Sequence, residues 1–479
     1  MRWIMKRLIF ASLALVFIVE VAGYSFAGQP SSTHAASNTI HRSNLAAYAP
    51  GEWSTFQNNI WRTGYDGYET TLNATTVPGL KVHWTHTAGG GVSTQPIQVN
   101  GSLYWGSWDG LEHKTTLAGA DVWTVNLGQT TSQQCVPPTV GIASSGQVIT
   151  VPINGIWTSV LFVGGGNGKF YALNTATGSI LWQTQLGIPP DFFLWSSPIV
   201  YNGSVYEGVS SFGDCPLVRG EMVRMNASTG AIENIFYTMP AGCKGAGVWD
   251  SPAIDANTGM LYFGTSNAGV CHLPNQYFWS MIELNASNLA LVSFWQMPPS
   301  QQTPNCDFGL AAPTLFTANI GGVNRFLLGV PNQNGKYYTF DRTRISSGPL
   351  WIVQLANPGR GSISSSAWDG TRLYTAGTDT TINGVRCQGS ARALNPATGA
   401  VIWQVCWTLG RPFNAVVAVT GVIFIGQGHF VNALDSTTGR TLFRFTDNTP
   451  GSLFWGAPSI SNGVLYIGNS DKTLWAFGL

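Results

Sequence analysis

The sequence predicts an all-β protein, an eight-bladed β-propeller of four-stranded antiparallel blades. Three observations predict it. One phrase recurs along the chain, a second pair of apolar runs precedes most copies, and a run near the N-terminus matches the strand missing from the last unit. A repeat of tens of residues decides the architecture before any local reading.

The clearest copy is Ala172-Leu173-Asn174-Thr175-Ala176-Thr177-Gly178-Ser179-Ile180-Leu181-Trp182. It returns at Ala393–Trp403 and Ala433–Phe443, and in worn form at Met225–Gly230. Asn or Asp opens a turn by bonding its own backbone, and glycine supplies the positive φ of a tight reversal. The flanks are β-branched and aromatic, so each copy reads as a hairpin. Ahead of most copies stands another pair of runs, such as Trp195–Tyr201, Asn202-Gly203, Ser204–Tyr206. Each unit therefore has four strands.

The turn Asn or Asp falls at 174, 226, 285, 341, 395 and 435, with spacings of 52, 59, 56, 54 and 40 residues. A blade takes about 40–50 residues, so the longer spacings carry loop insertions. A first unit spans Ser93–Gly128, and a last one stops after three strands at Leu474-Trp475-Ala476-Phe477. Leu80–Thr85 reads as an orphan outer strand that completes the last blade and removes exposed edges.

Charged residues make up 9% of the chain and the net charge is +1, against about 25% charged in an average soluble domain. Nothing points to a nucleic-acid partner. Arg2, Lys6 and Arg7 precede an apolar run from Leu8 to Val19, and Ser25-Phe26-Ala27 fits a cleavage site. Residues 1–27 therefore read as a signal peptide, 28–52 as a disordered linker and 53–479 as the propeller. Export to the cell envelope or the medium follows, with membrane attachment only if the signal is uncleaved.

Seven cysteines stand at 135, 215, 243, 271, 306, 387 and 406, and export makes disulfides plausible. Cys387 and Cys406 flank the turn at Pro396–Gly399, close to opposite each other on adjacent strands. The loop types make 215–243 and 271–306 the other expected pairs and leave Cys135 over. No Cys-x-x-Cys-His haem attachment occurs.

These repeats, with the opening Trp53–Asn59 and Arg62–Tyr65, resemble the quinoprotein propeller family over residues 53 to 479. Its dehydrogenases bind pyrroloquinoline quinone and Ca²⁺ on the ring axis. Gly245–Asp255 running into Leu261–Asn267 is similar to the segment whose Trp floors the quinone and whose Asn ligates Ca²⁺. The resemblance assigns those roles to Trp249 and Asn267; the competing readings are packing and a turn cap. Val209–Cys215 with Arg219–Val223 resembles the segment that supplies the acidic ligand, which makes Asp214 the metal candidate and Glu207 its alternative. Gln333 stands where related chains often place a Lys, and Lys336 follows; both are cofactor-binding candidates.

The departures concern the chemistry. The resemblance implies a catalytic Asp shortly after the Asn ligand, yet Ala268–Ile282 contains no Asp or Glu. Asn275 occupies that place and cannot act as a base near neutral pH. Asp307 is the substitute candidate. The family's adjacent-cysteine pair is missing too.

These departures favour a non-catalytic scaffold binding a ligand or a cell-envelope protein on its top face. The alternative is a quinone- and Ca²⁺-dependent alcohol dehydrogenase passing electrons to an external acceptor.

Overall fold

The computed structural model describes residues 50–479 apart from 304–305, 358–360 and 362. The signal-peptide reading and nearly all of the linker lie outside the described residues.

Eight sheets succeed one another along the chain, each built from an inner strand through to an outer one. The first runs through Ile97–Val99, Ser102–Gly106, Leu111–Thr116 and Asp121–Asn126. The third runs through Ile199–Tyr201, Ser204–Ser211, Glu221–Asn226 and Ile232–Tyr237, and the fourth through Ala253–Asp255, Met260–Gly264, Ser280–Asn285 and Leu291–Gln296. In the last sheet Ser459–Ser461, Val464–Gly468 and Thr473–Gly478 are joined by Lys81–Thr87, which pairs antiparallel with Thr473–Gly478.

The recurring phrase is a blade-to-blade lock. In the copy at 174, Gly178 N–H closes the turn on Asn174 O at 2.8 Å, with Gly178 at φ 74°. A Cβ on Gly178 would lie 2.9 Å from the Trp123 ring of the preceding blade, whose Nε1 donates to Thr175 O at 3.1 Å. The same pairing joins Trp182 to Gly230, Trp351 to Gly399 and Trp403 to Gly439. Each tryptophan ends one blade and docks on the glycine turn of the next. The phrase keeps both residues because the glycine site has neither room nor a backbone conformation for a side chain.

The lead-in Gly51–Asp66 crosses the end of the ring opposite the mouth and bonds every blade. Ser461 Oγ donates to Gly51 O, and Trp53 exchanges two backbone bonds with Gln98. Val148, Ile254, Leu315, Trp368 and Ala418 donate to Ser54, Ile60, Trp61, Thr63 and Gly64. Arg62 reaches the third blade, donating to Ser197 O at 3.2 Å and Pro198 O at 2.9 Å. It also donates to Pro252 O, Thr55 Oγ1 and Phe56 O. Burial pulls its guanidinium down to about 9, opposed by the Glu207 and Asp250 charges. This plug makes the axial cavity blind at one end.

Disulfides join Cys387 to Cys406, as expected, and Cys135 to Cys215 and Cys243 to Cys271. The expected pairs 215–243 and 271–306 are therefore corrected. Cys215 is taken by the connection between the first two blades, which reaches across to the third-blade loop. Cys306 is a buried free thiol whose Sγ bonds the Thr303 N–H and Gln301 O.

Candidate functional site

Each inner strand enters from the mouth through a similar tetrapeptide, and these entries build the axial cavity. They include Trp195-Ser196-Ser197-Pro198, Trp249-Asp250-Ser251-Pro252, Leu310-Ala311-Ala312-Pro313 and Trp455-Gly456-Ala457-Pro458. The extended backbone alternates side chains, so the first and third residues of each entry face the axis. The first residues form an upper tier. Trp195, Trp249, Leu310, Ile363, Phe413 and Trp455 wall a well of about 430 Å³, with Ser93 and Ala143 as its small side. The third residues form a lower polar tier closed by Phe56. Where the next blade carries a serine at this position, the backbone N–H reaches it. Gln95 donates to Ser145 Oγ at 2.7 Å, Ser145 to Ser197 Oγ at 3.0 Å, and Ser197 to Ser251 Oγ at 2.9 Å.

Trp249 and Trp195 stack with centroids 5.4 Å apart and planes 18° from parallel. Trp108, from a first-blade turn, tilts against Trp455 at 5.4 Å. Trp249 Nε1 is buried with no partner. This wall is wider than the single aromatic floor the sequence singled out. Trp195 and Trp455 stand in the same entry tetrapeptide as Trp249, and that shared pattern is the sequence signal that places them on the same wall.

Next to Trp249 the structure gathers three of the predicted polar residues. Ala246 N–H donates to Asn267 O, and Ser266 N–H to Gly247 O, so the fourth-blade loop lies against the strand leading into Trp249. Asn267 Nδ2 donates to Asp214 Oδ2 at 3.1 Å, while Asn267 Oδ1 is buried without a partner. Asp214 sits at φ 62°, held by Ser211 Oγ at 2.6 Å and by the adjoining Cys135–Cys215 bridge.

Asp307 completes the corner. Trp279 Nε1 donates to its Oδ1 at 2.9 Å, and the Asn267 backbone N–H donates to its carboxyl. Burial pushes this carboxyl up to about 7, and the neighbouring Asp214 charge adds to the rise. Gln333 adjoins it, its N–H donating to Asp307 O at 3.0 Å.

Asn275 stands elsewhere. It is exposed, at φ 63° in the fourth-blade loop. The carboxyl brought beside Asn267 comes from the connection into the fifth blade, about one blade later in the chain than the expected place. Lys336 starts a fifth-blade strand, half-buried, its N–H bonded to Asn334 Oδ1. Glu207 is fully buried under the axis, near Arg62 and Asp250, with both carboxyl oxygens unpartnered. Burial holds Glu207 and Asp250 well above the usual carboxylate range.

Two parts of the cofactor implied by the resemblance have matching groups here. The indole wall offers a planar apolar platform. The free Asn267 amide oxygen and the Asp214 carboxylate are hard donors of the kind Ca²⁺ accepts. Among the described residues no group of three or more His, Cys, Asp or Glu is placed to hold a metal. A cation would rest on this mixed amide and carboxylate pair.

The fold and this corner define a PQQ-repeat propeller. A family model described as outer membrane protein assembly factor BamB matches residues 113–274 and 388–478, more than half of the chain, and the chain belongs to that family. Polyvinylalcohol dehydrogenase of Sphingopyxis sp. (strain 113P3) is 22% identical over 87% of this chain and 71% of its own length. The crystal structure of quinohemoprotein alcohol dehydrogenase from Comamonas testosteroni superposes with a TM-score of 0.72 at 17% identity, covering 90% of this chain and 81% of that one. BamB from Moraxella catarrhalis superposes with a TM-score of 0.56 at 16% identity, covering 84% and 98%.

Proposed function

We propose that this propeller is a quinoprotein alcohol dehydrogenase working outside the cytoplasm, with its site at the Trp249 side of the axial well. The observation that carries the reading is the unpartnered Asn267 Oδ1 beside the Asp214 carboxylate, with the Asp307 carboxyl in the same corner. Names of the relatives support it: polyvinylalcohol dehydrogenase and quinohemoprotein alcohol dehydrogenase. Three disulfides favour an oxidising compartment.

In this reading Trp249 would support the quinone ring, and Asn267 Oδ1 with Asp214 would hold Ca²⁺. Gln333 borders the Asp307 side. Bound there, the quinone supplies a two-electron acceptor polarised by the cation. Asp307 takes the hydroxyl proton of the alcohol on its carboxylate, a role suited to a carboxyl titrating near the working pH. The Trp279 indole N–H and the Asn267 backbone N–H hold that carboxyl in place. The apolar well excludes water from the reacting carbon. An external acceptor would take the electrons.

Purified protein incubated with pyrroloquinoline quinone and Ca²⁺ tests this reading. Retained quinone absorbance after gel filtration, with dye reduction on adding primary or secondary alcohols, supports it. Absence of both from folded protein contradicts it.

One observation favours a second reading, a non-catalytic scaffold. Among the described residues, those lining the axial well include no Lys or Arg, while the quinone carries three carboxylates. In that reading the well seats an uncharged ligand or an apolar side chain of a partner.

A further inference from the structure

We propose that the cleft between the fourth and fifth blades, at the end of the propeller opposite the mouth, binds a small carboxylic acid with an apolar body. The cleft holds about 590 Å³ and is lined by Arg342, Arg344, Asp255 and Tyr262 on its polar side and by Met260, Val292 and Phe326 on its apolar side.

Arg342 is the anchor. It lies in the turn after Lys336–Asp341 and is 3% exposed. Its Nη1 donates to Asp255 Oδ2 at 2.8 Å. The rings of Trp61 and Phe326 flank the guanidinium at 5.1 and 5.6 Å. The Nε and Nη2 donors are buried and have no acceptor. Those two donors form one edge of the planar fork, and their spacing matches the two oxygens of a carboxylate. A buried cationic donor without an acceptor is costly, so an edge left open in this way points to a guest.

The surroundings select the guest. Asp255 balances Arg342, while Asp341 is shared by Arg344 and Arg325, each at 3.4 Å, so the surroundings carry one positive charge more than their two aspartates. Tyr262 Oη donates to Glu283 Oε1 at 3.3 Å, and burial raises the Glu283 carboxyl, which lessens its repulsion of an incoming anion. Val292 and Phe326 are about half exposed at the lip. They offer apolar contact to the body of the acid, while the carboxylate meets Arg342. This site is separate from the axial corner and does not depend on the reading of that corner.

Calorimetric titration of the full chain with benzoate and hexanoate tests it, with benzyl alcohol as the uncharged control. Saturable binding of at least one acid and none of benzyl alcohol is expected. Arg342→Gln removes the fork and weakens the acid at least about tenfold. Because that variant also breaks the buried pair with Asp255, Val292→Asp at the exposed lip provides an independent check. It sets a like charge against the carboxylate and weakens binding, also about tenfold, with the circular dichroism and melting temperature of the parent. No heat from either acid at millimolar concentration, as a cleft holding only water would give, overturns the proposal. So does equal binding of benzyl alcohol, or acid binding unchanged in both variants.

Discussion

Asn267 donates its side-chain N–H to Asp214 at 3.1 Å and leaves its own amide oxygen buried and unpartnered. An amide normally satisfies both ends when it is shielded from water. Here one end orients a carboxylate and the other is left open beside it, which is the arrangement a hard cation completes. Adding Ca²⁺ is expected to raise the melting temperature, by about 2.7 kcal/mol of stability at a hundredfold excess over Kd. Asn267→Ala and Asp214→Asn should each remove most of that shift while melting near the parent without Ca²⁺. A calcium response unchanged in both variants rejects this corner as the cation site.

The docking of Trp351 on Gly399 sets a second expectation. A Cβ on Gly399 would lie 2.5 Å from the indole, at φ 72°. At Gly370, φ 94°, nothing lies within 4 Å. Gly370→Ala carries only the left-handed backbone cost, about 1 kcal/mol. Gly399→Ala adds overpacking of about 1–3 kcal/mol. Chemical denaturation of the two variants measures the difference, and equal losses would show that the blade lock is soft.

His113 makes stability depend on acid. Its ring stacks on Trp105 at 3.9 Å, and its Nε2 lies 3.1 Å from Ser107 Oγ. Burial pulls the imidazole down to about 4, against the opposing pull of Asp109. The unfolded chain takes up this proton near pH 6.5 and the folded chain only near 4, so the unfolded state binds more protons between those values. Stability therefore falls as pH drops through this window and levels off below it, by about 3 kcal/mol at most. His113→Gln should flatten that part of the profile. A parent profile with the same slope as the variant would show that the ring protonates in place.

The cysteine pattern predicts a thiol count. Native protein should show no accessible thiol to an aromatic disulfide reagent, and unfolded, unreduced protein one, from Cys306. Two or three thiols on unfolding would mean that a bridge such as Cys135–Cys215 is open.

The fold was legible because its signal is repeated. The Asn/Asp-to-Gly turn and the terminal Trp occur in blade after blade, and each copy states the same contact. The orphan run at Leu80–Thr85 showed itself by lacking a partner of its own, and Lys81–Thr87 pairs with Thr473–Gly478.

The corner was half legible. Trp249 and Asn267 lie in one continuous segment, so their local motif survives in sequence. Asp214 belongs to the third blade and Asp307 to the next connection, and only the ring brings them within reach. Within the one loop where a base is expected, the sequence offers only Asn275, which cannot serve and which the structure leaves exposed; the substitute candidate, Asp307, stands in a different connection. Cys387–Cys406, across one hairpin, was legible; the other two expected pairs failed for the same reason as the base: Cys135 and Cys215 are 80 residues apart, and loops sharing a face do not reveal which of them touch.

The central claim is that Asp307 is the base in a corner that holds quinone and cation without it. Asp307→Asn, reconstituted beside the parent with pyrroloquinoline quinone and Ca²⁺, measures this most directly. The expected result is a quinone spectrum like the parent's with alcohol-dependent dye reduction lowered by about 10²–10⁴. Dye reduction equal to the parent's, or a parent that takes up no quinone at all, would contradict it.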